Sequence, residues 1–131
     1  MTGKWPEVAP FVPKMVQSCY VVTCSDGPEA AHLRLTHMVA HFAHIERNWT
    51  RFITAGPIRK PGSAAVSGSV FLVLGDSLGE VQAMMAEDPY ISCGMYSSVD
   101  YAELTNAAGL FIGGKIWDDK EAFLRRLTGE E

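Results

Sequence analysis

The sequence predicts an α+β domain whose elements run β-α-β-β-α-β. Apolar, β-branched segments that end in turn residues recur along the chain, and longer segments between them carry apolar residues at helical intervals. One helix follows the first strand and another follows the third, while the second and third strands follow each other directly.

The first strand is "QSCYVVTCSDG", β-branched and apolar, stopped by Asp26-Gly27. From residue 28 to about residue 50 the chain reads as a helix, with Leu35, Met38, Val39, Phe42, Ile45 and Trp49 at helical spacing. Pro28 suits its first turn, where a missing N–H costs nothing. "RFITAGP" is a second strand closed by Gly56-Pro57, and "IRKPGSAAVSG" is a loop. "SVFLVLGD" is the third strand. "SLGEVQAMMAED" is the second helix, with Ser77 as N-cap, Glu80 completing a capping box and Pro89 beyond its end. "MYSSVDYAEL" alternates as a fourth strand.

This order is the split βαβ pattern of ferredoxin-like domains, an antiparallel sheet with both helices on one face. The other face still carries apolar residues and needs a cover. Two copies packed sheet to sheet supply it, so a homodimer is expected. The predicted organisation is an N-terminal extension (1–17), the domain (18–104) and a C-terminal extension (105–131). In the last, "AGLFIGGKIW" is apolar and broken by Gly113-Gly114. "DDKEAFLRRL" then forms a short helix with acids in its first turn and arginines in its last. The extension is expected to pack over the dimer or the partner subunit.

Composition narrows the function. The 131 residues suit one domain, and 47% hydrophobic with 20% charged residues indicates a globular chain. A net charge of −4 without a Lys/Arg cluster argues against nucleic acid or an anionic membrane as partner. No apolar run approaches the ~20 residues of a membrane span. The start, "MTGKWPEVAPFVPKMV", is interrupted by prolines and has no apolar signal core, so a cytoplasmic location is expected. Cys19, Cys24 and Cys93 match neither a metal spacing nor an even disulfide set.

All four histidines lie on the first helix, and His37, His41 and His44 share one face. Without a carboxylate at ligand spacing this is a weak metal signal, so no metal is expected. Histidine is the side chain best suited to move protons near neutral pH. Asp88 ends the second helix, and Pro89 biases it out of the helical region so that its carboxylate can point away from the axis. A carboxylate beside an imidazole fixes its tautomer and supports its protonated form. Arg34 lies two helical turns before His41 on nearly the same face and suits an anionic substrate. Ser69 opens the third strand as a possible hydrogen-bond donor, and Tyr90 brings an aromatic ring close to Asp88.

"SDG", Arg34 seven residues before "HF", "TAGPI" and "GSVFLVLGDSLGEVQAMMAEDPYISCGMYSSV" resemble the YCII-related (YciI-like) family over roughly residues 19–104. The resemblance implies a ferredoxin-like fold assembled as a dimeric α/β barrel, similar to muconolactone isomerase, with a site built on a His-Asp pair. The family histidine falls on His41 and the aspartate on Asp88. Some relatives act as dehydrochlorinases in aromatic breakdown. The chain departs from the pattern at Met38, where the family carries a second arginine, at Asn48-Trp49 in place of a glycine-containing turn, and in both extensions. The expected function is therefore a cofactor-free lyase or isomerase acting on a cyclic metabolite. His41 and Asp88 would be its catalytic dyad, and Arg34, Ser69 and Tyr90 would contact substrate. The alternative is a non-catalytic ligand-binding or regulatory homodimer.

Overall fold

The computed structural model describes residues 14–115 and 119–129, so most of the predicted N-terminal extension lies outside the described residues. The described residues fall into two compact units, one spanning Cys19–Leu104 and one drawn from the ranges Met1–Ser18 and Thr105–Glu131.

The larger unit is a ferredoxin-like α+β fold. Its elements are β1 (Cys19–Asp26), α1 (Ala30–Asn48), β2 (Phe52–Ile58), β3 (Gly68–Val73), α2 (Leu78–Ala86), α3 (Pro89–Ser92) and β4 (Tyr96–Leu104). The sheet order is β2-β3-β1-β4, and every pairing is antiparallel. Val22 and Cys24 of β1 and Phe71 and Val73 of β3 turn toward the helices and pack with Val81, Met84 and Met85 of α2. Val21 and Leu72, which oppose each other across β1 and β3, alternate to the other face.

Close approach of β1 and β3 depends on Gly68, where a Cβ would lie 2.1 Å from the Cys24 carbonyl oxygen. A β-bulge at Ser25/Asp26 sets Tyr96, rather than Ser97, opposite Asp26. Tyr96 is therefore buried while Ser97 is exposed.

The capping box at Ser77 forms as a variant. Ser77 Oγ accepts from the Glu80 N–H at 3.1 Å, while the Glu80 carboxylate accepts from the Asp76 N–H at 3.3 Å. α1 departs from a simple reading of its apolar spacing. Leu35 (74% exposed), Val39 (79%) and Trp49 (66%) face outward, whereas His44 is fully buried. The inward surface of this helix therefore carries polar imidazole as well as apolar side chains.

In the smaller unit β5 (Ala108–Gly109) pairs with β6 (Gly114–Lys115). The turn between them uses Gly113 (φ 86°) and Gly114 (φ 107°), in the left-handed region that favours glycine. Asn106 donates to the Gln17 carbonyl at 2.8 Å. The predicted C-terminal helix forms as α4 (Lys120–Thr128).

Candidate active site

The segment "EDPYIS" between α2 and β4 holds the first element of the site. α2 ends at Ala86, and Asp88 adopts an extended conformation (φ −70°, ψ 122°), as the proline that follows favours. Pro89 opens α3, where its lack of an N–H leaves nothing unpaired. Asp88 Oδ1 accepts from the Tyr90 N–H at 3.0 Å, so the carboxylate is the N-cap of this short helix, which the sequence reading did not anticipate. Gly94 (φ 77°) then leads the chain from α3 toward β4.

Asp88 does more than cap. It is completely buried, and His41 Nδ1 lies 2.8 Å from its Oδ1 and 3.0 Å from its Oδ2. A buried carboxylate that only accepts hydrogen bonds holds the proton on Nδ1 and leaves Nε2 as the basic atom of the ring. Tyr90 fixes the ring plane. Its phenol ring stacks on the imidazole with centroids 3.9 Å apart and planes inclined by 11°. Its hydroxyl donates to the Arg34 carbonyl oxygen at 2.9 Å, and burial raises its pKa, so the donor stays protonated at neutral pH.

Arg34 is anchored in turn. Its Nη1 and Nη2 donate to Asp26 Oδ2 and Oδ1 at 2.8 and 3.1 Å, a bidentate pair that raises the guanidinium pKa further. Asp26 thus meets much of the charge that the sequence reading assigned to a substrate anion. Asp26 is the pairing that reading missed, since the link crosses a strand-to-helix turn without a helical repeat to suggest it.

These side chains line one cavity of about 340 Å³ between α1 and the β2–β3 half of the sheet. Met38, Phe42, Ile45, Pro57, Val66 and Phe71 make its walls largely apolar, and its polar groups come from Arg34, His41 and Ser69. Tyr90 also reaches the lining, so all five residues singled out in the sequence belong to this region or, for Asp88, lie directly behind it. Ser69 Oγ accepts from the hydroxyl of Tyr96 at 2.9 Å. Strict alternation along β4 from Tyr101 and Val99 would turn Tyr96 outward, and only the bulge brings it inside.

The remaining histidines do not form a metal centre with His41. Among the described residues no three His, Cys, Asp or Glu side chains converge as ligands. His44, one turn beyond His41, is completely buried and its pKa is lowered chiefly by that burial. Cys24, behind the site, is likewise buried, and its thiol is pushed up to about 12 chiefly by burial, so it stays protonated.

A solved structure of 5-chloro-2-hydroxyhydroquinone dehydrochlorinase (TftG) from Burkholderia phenoliruptrix, in complex with 2,5-dihydroxybenzoquinone, is similar in fold. Its TM-score is 0.61 at 20% identity, covering 70% of this chain and 95% of that one. An uncharacterised protein of Haemophilus influenzae is 29% identical over 87 residues, 61% of this chain and 89% of the relative. The YCII-related domain matches residues 18–105. That match takes in the whole sheet, both long helices and every side chain of the site, and with it the chain belongs to the YCII-related family.

Proposed function

We propose that this protein is a lyase or isomerase that moves a proton on a cyclic, oxygen-bearing small molecule, with His41 as base and acid and Asp88 as the residue that positions it. The observation that carries this reading is the buried Asp88 carboxylate on His41 Nδ1 at the wall of an apolar cavity. Nε2, across the ring from Nδ1, accepts a proton from a ring C–H or O–H, and the bond's electron pair moves onto a conjugated carbonyl oxygen. In an isomerisation the imidazolium returns the proton to a different ring carbon. In an elimination the electron pair expels a leaving group from the adjacent carbon, and the proton follows that group or passes to water. Asp88 holds Nδ1–H throughout and offsets the positive charge that develops on the ring. A general acid–base group of this kind contributes roughly 10²–10⁴-fold to a rate.

The cavity volume suits a one- or two-ring compound, and stacked Tyr90 with the apolar walls suits a flat one. A fold neighbour named for dehydrochlorination of a chlorinated hydroxyhydroquinone points to the same substrate class, and to a place in the breakdown of aromatic compounds. The sheet face carrying Val21 and Leu72 supports assembly as a homodimer.

The test is turnover, followed by absorbance, of a panel of chlorinated hydroxyquinols, cyclohexadienones and unsaturated lactones. The wild type is expected to turn over at least one of them, and His41→Asn to lose that activity with the fold intact. Binding without turnover across the panel would replace this reading with that of a ligand-binding dimer.

A further inference from the structure

Ser69 and Tyr96 form a buried hydroxyl pair that the dyad does not use. The Tyr96 hydroxyl lies 2.9 Å from Ser69 Oγ, and the two residues are only 8% and 6% exposed. Ser69 nevertheless lines the cavity, on β3, across from His41 on α1. A phenol is a far stronger acid than an aliphatic alcohol, so in a bond between the two the phenol donates and the serine oxygen accepts. Burial holds the Tyr96 pKa at about 12, which keeps that donor proton in place at neutral pH. The serine's own proton then has no acceptor among the described residues, and the cavity is where it can be used. Accepting from the phenol also polarises the serine hydroxyl and strengthens it as a donor.

We infer that Ser69, backed by Tyr96 as a positioning residue, is the hydrogen-bond donor for a substrate oxygen that becomes enolate- or phenolate-like as His41 removes a proton. The inference rests on the proton-transfer reading above and narrows its substrate class to rings bearing an enolisable carbonyl or an acidic hydroxyl. Asp26 already meets the charge of Arg34, so Ser69 is the neutral donor that complements the acceptor Nε2 on the other wall. Ser69 loses no proton in the reaction. Its O–H stays intact and shortens its contact as charge gathers on the substrate oxygen.

The probe is 4-nitrophenol, whose phenolate absorbs in the visible, titrated with pH on the full chain. The wild type is expected to bind it and lower its apparent pKa. Ser69→Ala should weaken ionisation of the bound phenol roughly ten- to a hundredfold, the effect of one hydrogen bond to a charged oxygen. Tyr96→Phe should weaken it by roughly two- to fourfold, the size of a cooperative contribution, and should add nothing in the Ser69→Ala background. Circular dichroism and melting of each variant separate these shifts from a loss of fold. If the wild type binds no phenol, both this inference and the proposed substrate class fall. If His41→Asn changes the bound phenol while Ser69→Ala does not, the inference alone falls. A shift in Ser69→Ala with Tyr96→Phe identical to wild type would remove Tyr96 from it.

Discussion

Replacing Asp88 by Asn keeps the shape of the most buried group in the site and changes one property, its charge. The amide oxygen can still cap α3 by accepting the Tyr90 N–H, so the roughly 1 kcal/mol of an N-cap is retained. The amide oxygen then stays in the place of Oδ1, 2.8 Å from His41 Nδ1, and the NH2 takes the place of Oδ2 at 3.0 Å. Nδ1 thus faces one acceptor and one donor, so it can give its proton to the amide oxygen or, with the proton on Nε2, accept from the amide NH2. A hydrogen bond to a charged group contributes about 1.5–3 kcal/mol, which corresponds to a roughly 10- to 150-fold bias toward the Nδ1–H tautomer in wild type. Its loss leaves the two tautomers close in energy and lowers the share of rings that present an unprotonated Nε2 to the cavity. Long-range proton–nitrogen correlation of the histidine rings at mildly alkaline pH reads the tautomer without a substrate. Wild type should show His41 protonated on Nδ1, and Asp88→Asn should show a substantial share protonated on Nε2, with circular dichroism confirming that the fold is kept. The same tautomer population in both proteins would refute the positioning role of Asp88.

Gly68→Ala should be among the most destabilising single-methyl additions in the sheet, because its Cβ meets the Cys24 carbonyl oxygen at 2.1 Å. Backbone must shift, at about 3 kcal/mol, and melting should fall by roughly 10 °C or more; an unchanged Tm would show that β1 and β3 can separate freely. Burial lowers the His44 pKa against the opposing pull of Asp88 and Glu87, with Arg47 and His41 acting in the same direction as burial. The unfolded chain therefore takes up a proton below about pH 6.5 that the folded chain resists, and stability falls as pH drops through that range. His44→Leu should be free of this loss, gaining on wild type toward pH 5 by at most about 1.4 kcal/mol per pH unit, and parallel pH curves would contradict it. Light scattering at micromolar concentration should give twice the chain mass; a well-folded monomer with no concentration dependence would exclude the sheet-to-sheet dimer.

The order of elements was legible because each boundary has its own chemistry: Asp26-Gly27 after β1, Ser77 with Glu80 before α2, and Pro89 after it. The face that α1 buries was not. Its apolar spacing marked a helix, but Leu35 and Val39 point outward, His44 is buried and His41 lines the cavity. Arg34, His41, Asp88, Ser69 and Tyr90 were all identifiable as chemically capable, yet their partners were harder to read. His41 and Asp88 are 47 residues apart, and residue chemistry alone leaves their meeting open; the family resemblance supplied it. Tyr96 escaped notice because the alternation of β4 places it outward, and a bulge between Ser25 and Asp26 is invisible to a period of two. The joint at Asp88 serves two ends at once. A helix cap and a partner for His41 use the same carboxylate, so its position next to a proline reads equally well as plain punctuation.

On the proposed reading, His41 takes a proton from a ring compound held in the cavity. Hydrogen–deuterium exchange at ring C–H positions measures that step without requiring the net reaction to be known. The panel of hydroxyquinols, cyclohexadienones and unsaturated lactones would be incubated in D2O with wild type and with His41→Asn, and followed by proton NMR. Wild type is expected to cause loss of at least one ring C–H signal, and His41→Asn none above the buffer rate. Exchange that proceeds equally in both proteins, or in neither with ring compounds proven to bind, would contradict that reading.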